Sequence, residues 1–325
     1  MDIFSTLKKI ALSEKKTIVF PEGNDKRVLS AAVKLANEGV IAAILLGNET
    51  EIGKMAADLK LDLTHVKIID PQTYGGLEKM VAELVALRNG KSTAEDAKKM
   101  LSDVSYFGTM LVYENIADGM VSGAAHSTAS TVRPALQIIK TAAGMHRVSG
   151  SFVMERGEEK YVFADCAINI DPDATTLAEI AYQSAQTAKM VGIDPKVAFL
   201  SFSTKGSAKG AMIDKVVEAT KLFQEKYPEI PADGELQFDA AFVPSVGQSK
   251  APGSKVAGHA NVFVFPELQS GNIGYKITQR LGNFLAVGPI LQGIAKPVND
   301  LSRGASSDDV YNLAILTAAQ AIFKD

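Results

Sequence analysis

Tryptophan is absent from this 325-residue chain, cysteine occurs once, at Cys166, and no apolar run approaches the length of a membrane span. A lone cysteine precludes an intrachain disulfide and fits a reducing cytosol. Without roughly 20 consecutive apolar residues there is no candidate transmembrane helix. The lysine-bearing opening MDIFSTLKKIALSEKK has neither a long apolar stretch nor a cleavage site, so it does not read as a secretory signal. These features predict a cytoplasmic protein. A basic excess is also missing: Lys and Arg total 34 against 37 Asp and Glu, a net charge of −3. That balance argues against general nucleic-acid binding, so a polyanionic ligand has to be held by local Arg and Lys clusters. His65, His126, His146 and His259 show no metal-ligand spacing, and no metal is expected.

What is present is a strand-then-helix rhythm. Hydrophobic residues make up 46% of the chain and aromatics only 7%, a balance suited to an α/β enzyme core. TIVFP (17–21) reads as a buried strand, and Asn24 or Asp25 can cap a helix with an apolar face of Val28, Ala32, Leu35 and Ala36. IAAILLG (41–47) and VKIID (66–70) repeat the pattern, as expected of a parallel sheet covered on both faces. After Gly144 the style changes: two strand-like runs joined by ERGEEK predict a β-hairpin and mark a domain change. Then come a helix from Asp173 through Ala188, the strand KVAFLSF, a helix from about Ser207 to Tyr227, and the short runs DAAFVP and NVFVFP.

Two segments carry chemistry. KPVNDLSRGASSDDVYNLAI (296–315) places a hydroxyl, a guanidinium and two carboxylates around one helix start, with Ser306 or Ser307 as the cap. Ser302 and Arg303 fall just before that helix, where free N–H groups, the dipole and an arginine fork favour a phosphate. Asp308 and Asp309 lie in its first turn, where they also complement the dipole. The stretch from Asp118 to Gly144 repeats the grammar as strand, small-residue loop and helix. Gly123, Ala124 and Ala125 would allow a ligand close to the backbone, Ser127, Thr128 and Ser130 offer caps and hydroxyl donors, and Arg133 lies near the helix start. Cys166 sits in the apolar run VFADCAINI and reads as a small buried hydrophobe. Neither STKGSAKG nor SKAPGSKVAGH satisfies the P-loop pattern, and Lys205, Lys209, Lys250 and Lys255 read as solvated loop lysines rather than ligand contacts.

These segments, together with FPEGNDKRVLSAA, STKGSAKG, GELQFDAAFVP, the stretch from Ser249 to Leu281 and GPILQGIAKPVNDLSRG, resemble the phosphate acetyltransferase (phosphotransacetylase) family in the family's order and over almost the whole chain. The resemblance implies two three-layer α/β domains with a cleft between them, similar to isocitrate and isopropylmalate dehydrogenases. Residues 1–143 with 298–325 would form one domain, completed by the C-terminal helix, and 144–297 an inserted second one. It implies a homodimer and reversible acetyl transfer between coenzyme A and inorganic phosphate through direct thiol attack on acetyl phosphate. Coenzyme A is then a substrate, and no cofactor is implied. By the same resemblance Asp309 matches the family's base, Ser302 the hydroxyl that stabilises the oxyanion, and Arg303, Arg133 and Arg280 the substrate-binding arginines. Arg88 corresponds through a weaker local match. Butyryl transfer, a decarboxylating NAD-dependent dehydrogenase of related fold, and a non-catalytic acyl-CoA binding module are the competing readings. Retention of Ser302, Arg303 and Asp309 argues against the last.

Overall fold

A computed structural model describes residues 2–323. The chain divides into two compact units, one formed by Phe4–Ala143 with the segment that begins at Ile294, the other by Gly144–Gly293.

The first unit is a parallel sheet built from β1 (Lys16–Phe20), β2 (Ile41–Leu46), β3 (Val66–Ile69), β4 (Gly119–Ser122) and β11 (Val298–Asp300), in the order β11-β4-β1-β2-β3. Its helices are α1 (Ile3–Ala11), α2 (Lys26–Asn37), α3 (Glu49–Asp58), α4 (Leu77–Arg88), α5 (Ala94–Leu101), α6 (Val104–Tyr113), α7 (Thr128–Ile138) and, after the second unit, α13 (Ser307–Ile322). Val19, Ile44, Leu46 and Met120 point from alternate strand positions into a core shared with Met80, Leu84, Leu101, Phe107 and Met110 of α4–α6. Helices α2 and α13 pack against each other, with α13 also on β1 and β4. The α2 pattern holds: Asp25 caps it, and Val28, Ala32, Leu35 and Ala36 are buried. β11 returns the chain to this sheet by pairing in parallel with β4, Asp300 opposite Ser122. Just upstream, Lys296 Nζ donates to the carbonyls of Val112 and Tyr113 and to Asn115 Oδ1, fixing the point of return.

The second unit holds a mixed sheet of β5 (Ser149–Arg156), β6 (Glu159–Ala164), β7 (Val197–Leu200), β8 (Ala232–Leu236), β9 (Val262–Val264) and β10 (Leu285–Gln292), ordered β10-β5-β6-β9-β7-β8. The hairpin expected after Gly144 is the antiparallel pair β5–β6, turning at Gly157 with φ +62°. Its helices are α8 (Ala174–Met190), α9 (Ala211–Lys226), α10 (Phe238–Phe242), α11 (Pro244–Lys250) and α12 (Leu268–Arg280). The start of the helix near Ser207 needs correction, and the two short runs divide between helix and strand. Of the runs DAAFVP and NVFVFP only the second contains a strand; the first is helical, because a short apolar run does not distinguish the two states and Pro244 starts the next helix at once. The helix expected from about Ser207 starts at Ala211. Before it, Ser207 Oγ accepts the N–H of Thr204 and Ser203 Oγ that of Ala208, side-chain bonds that compete with helix formation. No described helix is long and apolar enough to cross a membrane.

Candidate functional site

The chain runs outward from β1 through β2 to β3, then crosses to the other side of β1 to lay down β4 and later β11. Such a reversal opens a crevice beyond the carboxyl ends of the strands, where ligands of open α/β sheets bind. The loops leaving β1, β4 and β11 all belong to this edge, and they carry Glu22 to Asp25, Gly123 to Ser127, and Leu301 to Ser306. They are in close contact. Leu301 N–H donates to Ser122 O at 2.7 Å, and a Cβ on Gly123 (φ +106°) would stand 2.4 Å from Asp300 Oδ1 and 2.7 Å from Leu301 O. Only glycine fits there, both for its backbone angle and for the missing side chain.

Ser302, Arg303 and Asp309 lie at the start of α13. All three are exposed, on the loop before α13 or in its first turn. Ser306 is the cap: its hydroxyl accepts Asp309 N–H, while Asp309 Oδ2 accepts Ser306 N–H at 2.8 Å and lies 2.8 Å from Ser306 Oγ. Asp309 thus closes a capping box with one oxygen and leaves Oδ1 without a hydrogen bond among the described residues. Ser302 Oγ accepts Gly304 N–H at 3.3 Å, which leaves its own proton available to an incoming acceptor. The Arg303 guanidinium makes no hydrogen bond among the described residues, whereas its carbonyl is held firmly.

The holder is Arg27, in the first turn of α2. Its Nη1 donates to Arg303 O at 2.9 Å and Ala305 O at 2.8 Å, and its Nη2 to Ala124 O at 2.8 Å. Asp25 balances the charge through Nε at 3.0 Å and Nη2 at 2.7 Å, and this pairing holds the Asp25 carboxyl below its usual range. One guanidinium therefore fastens the loop after β4 to the loop after β11.

The small-residue loop does not offer its backbone to a ligand in the way its composition implies. Buried Glu22 fills that position, accepting the N–H groups of Ala124 (2.9 Å), Ala125 (2.8 Å) and His126 (3.1 Å), with His126 Nδ1 at 2.7 Å. Ser127 precedes α7 without a side-chain cap bond, its hydroxyl lying 3.0 Å from that of Ser130, and Ser127 and Thr128 are both exposed. Below them is Asp300, whose carboxyl is pushed up by burial and further by the charge of Glu22. The Thr128 and Thr131 hydroxyls pull the other way, yet Asp300 Oδ1, Thr131 Oγ1 and Ser122 Oγ are buried without a well-formed hydrogen bond. Glu22, Arg27 and Asp300 escape sequence reasoning because their partners are main-chain atoms or residues far away in the chain. The one visible signal is a Glu and an Arg directly following a strand.

Arg133, exposed on α7, and Arg88, the last residue of α4, flank a single phenol. Burial raises the Tyr106 pKa, and the nearby charges of Arg133 and then Arg88 oppose it. Tyr106 Oη donates to Gln137 Oε1 at 2.8 Å, and Arg88 Nε to Ser92 Oγ at 3.4 Å. Arg280 belongs to the other unit, exposed at the end of α12. There, too, Lys205 pairs with Asp233 and Gly234 O, and Lys250 with Gln237 and Asp239. Cys166 is fully buried, and burial, reinforced by Asp165, pushes its thiol well above the ordinary range. No cluster of three or more His, Cys, Asp or Glu able to hold a metal occurs among the described residues.

Against known proteins, the phosphate acetyl/butaryl transferase family model matches residues 2–318. Phosphate acetyltransferase of Bacillus subtilis (strain 168) is 62% identical over 321 residues, covering 99% of both chains. The crystal structure of a phosphotransacetylase from Streptococcus pyogenes superposes with a TM-score of 0.97 at 59% identity, and a phosphotransacetylase from Staphylococcus aureus with 0.94 at 55%, each covering 98% of both chains. The chain belongs to the phosphate acetyl/butaryl transferase family.

Proposed function

We propose that acetyl transfer between coenzyme A and inorganic phosphate occurs at the loops after β1, β4 and β11, by direct attack of the coenzyme A thiol on acetyl phosphate. The transfer itself follows from the family and its 55–62% identical relatives: the chain is an acyltransferase acting on coenzyme A or acetyl-CoA and phosphate. The observation that carries its location is the grouping of Ser302, Arg303 and Asp309 beside a helix N-terminus at the sheet's switch point. A thiol with a reference pKa of about 8.5 is mostly protonated at neutral pH, so a base speeds its attack. Asp309 Oδ1 is the free carboxylate oxygen for that proton. As sulfur adds to the carbonyl, the oxygen becomes an oxyanion, to which Ser302 O–H donates. Arg303 and Arg133 supply planar donors for the phosphate, with Ser127, Thr128 and Arg88 as further substrate contacts and Arg280 as a further substrate arginine.

Substrates and products balance without a redox or metal step, so no cofactor is assigned. Cys166, buried and held neutral, does not serve as an acyl carrier. We assign a cytoplasmic location from the single unpaired cysteine. A homodimer is supported by an exposed apolar row that begins on α12 with Ile273 and Ile277 and continues past its C-terminus with Leu281 and Leu285. Ultracentrifugation of the wild type and of Ile277→Glu tests this; a wild-type monomer refutes it.

The deciding experiment measures thioester formation from coenzyme A with acetyl, propionyl and butyryl phosphate, without metal or nicotinamide. Acetyl preference is expected. Asp309→Asn should lower kcat by about 10²–10⁴-fold, and Ser302→Ala by about 10²–10³-fold. Arg133→Ala should chiefly raise KM, on the order of tenfold for the loss of one charged hydrogen bond. Full turnover in Asp309→Asn refutes its assignment as base.

A further inference from the structure

We propose that His126 is the acid that protonates the departing phosphate, oriented for that task by buried Glu22. The chemistry favours such a group. When the carbon–oxygen bond of acetyl phosphate breaks, its electron pair stays on the phosphate oxygen. That leaving group would be the phosphate trianion, and a proton delivered as the bond breaks eases its departure. Asp309 removes a proton at the sulfur side of the carbonyl; a second group can deliver one at the phosphate side.

The structure supplies it. Glu22 already accepts three main-chain N–H groups, so it is the acceptor toward His126, and the ring proton at that contact lies on Nδ1. Nδ1 is then occupied and Nε2 is turned away from Glu22. The Glu22 side chain is 2% exposed and that of His126 39%, so a buried carboxylate holds a half-exposed imidazole. Nε2 has no hydrogen-bond partner among the described residues. Buried carboxylate, oriented imidazole and free distal nitrogen are the arrangement by which acid–base histidines are held. Its place in the fold is also right. His126 is two residues from Ala124, whose carbonyl shares the Arg27 guanidinium with those of Arg303 and Ala305, and it adjoins exposed Ser127 and Thr128 at the start of α7. A phosphate held by Arg303 and the α7 N-terminus lies between the two loops that Arg27 joins.

In the forward step the thiol proton passes to Asp309 and sulfur bonds to the carbonyl carbon, whose π pair moves to oxygen. That pair then re-forms the carbonyl as the carbon–oxygen bond to phosphate breaks, and the released oxygen takes the Nε2 proton of doubly protonated His126, giving hydrogen phosphate. The proton on Asp309 restores His126 through solvent. In reverse, neutral His126 takes the proton of hydrogen phosphate as its oxygen attacks acetyl-CoA.

The inference rests on the direct-transfer reading, and its test separates the two. In the full chain, His126→Gln should keep the wild-type melting temperature and lose kcat by about 10²-fold or more in both directions, with KM for coenzyme A and acetyl phosphate within about threefold of wild type. Added imidazole should restore part of the turnover of His126→Ala, which a purely structural role would not allow, and this comparison also decides the matter if His126→Gln is unstable. Unchanged kcat in His126→Gln, a loss confined to KM for acetyl phosphate and phosphate, or failure of imidazole to restore His126→Ala overturns the assignment. A wild type that makes no acetyl-CoA sinks the direct-transfer reading instead. An active wild type impaired by Asp309→Asn but not by His126→Gln sinks only this inference.

Discussion

Asp309 Oδ2 accepts the N–H of Ser306, and Ser306 Oγ accepts the N–H of Asp309, so the proposed base is also half of the cap on α13. The box fixes the carboxylate through one oxygen and frees the other for a proton. Structure and catalysis are then separable by substitution. Ser306→Ala removes the cap and should cost about 1 kcal/mol of stability, with kcat falling only modestly because the carboxylate remains. Asp309→Asn keeps an oxygen for the cap and should retain stability while losing most turnover. Urea denaturation and steady-state kinetics on both variants check the pair; equal kinetic losses would show that helix order alone is being measured.

Arg27 lies outside the group of residues proposed to touch substrate, yet it joins their two loops. Arg27→Met leaves the carbonyls of Ala124, Arg303 and Ala305 without their donor; that of exposed Arg303 can turn to water, but for Ala124 and Ala305 a buried unsatisfied acceptor costs about 1–3 kcal/mol. We expect a destabilisation of that size together with a fall in kcat/KM. Arg27→Lys keeps the charge but cannot reach three carbonyls and Asp25 at once, so it should recover only part of either loss. Loss of stability with kcat/KM intact in both variants would show that the fastening does not matter to turnover.

The contrast between Asp25 and Arg27 shows where the sequence is legible. Asp25 is readable as a cap because its partner, Arg27 N–H, is two residues away. The carbonyls bound by the Arg27 side chain lie 97 to 278 residues away, and no local pattern encodes them. The same rule separates Ser306, visible as a cap, from Glu22, whose ligands are main-chain groups more than 100 residues on. The α/β class and most strands are legible because their apolar runs are short, nearly continuous and buried, as in β1 and β2. DAAFVP is legible as neither helix nor strand because six residues are too few for a period to declare itself. The small-residue loop after β4 misleads for another reason: composition shows that its backbone can be approached, not that Glu22 is what approaches it.

Cys166 provides a test of direct transfer against a covalent acyl-enzyme. Its thiol is fully buried and pushed up by burial, so it is neither a ready nucleophile nor in contact with solvent. Cys166→Ala should keep wild-type turnover and lose on the order of 1 kcal/mol of stability as a small core truncation. Complete loss of activity with the fold intact by circular dichroism would restore the acyl-enzyme alternative.

Asp300 links the site to pH. Burial and the neighbouring Glu22 raise its folded pKa above the ordinary 3.8, so the folded state keeps this proton to higher pH than the unfolded chain does. Where the folded state binds more protons, stability falls as pH rises, beginning near the unfolded value and continuing through the folded one. The contribution of Asp300 is therefore favourable at low pH and is lost as the solution becomes less acidic, the reverse of a salt-bridged aspartate such as Asp25, whose stabilisation disappears on acidification. Asp300→Asn preserves the shape and removes the titration. Its stability relative to wild type should rise with pH from about pH 4 and level off once wild-type Asp300 is ionised in the folded state. Denaturation measured across that range, with the difference between the two proteins taken at each pH, checks the sign: a difference that moves against the variant as pH rises would mean that Asp300 is held as a stabilised anion, and that the unpaired oxygens around it do not oppose its charge.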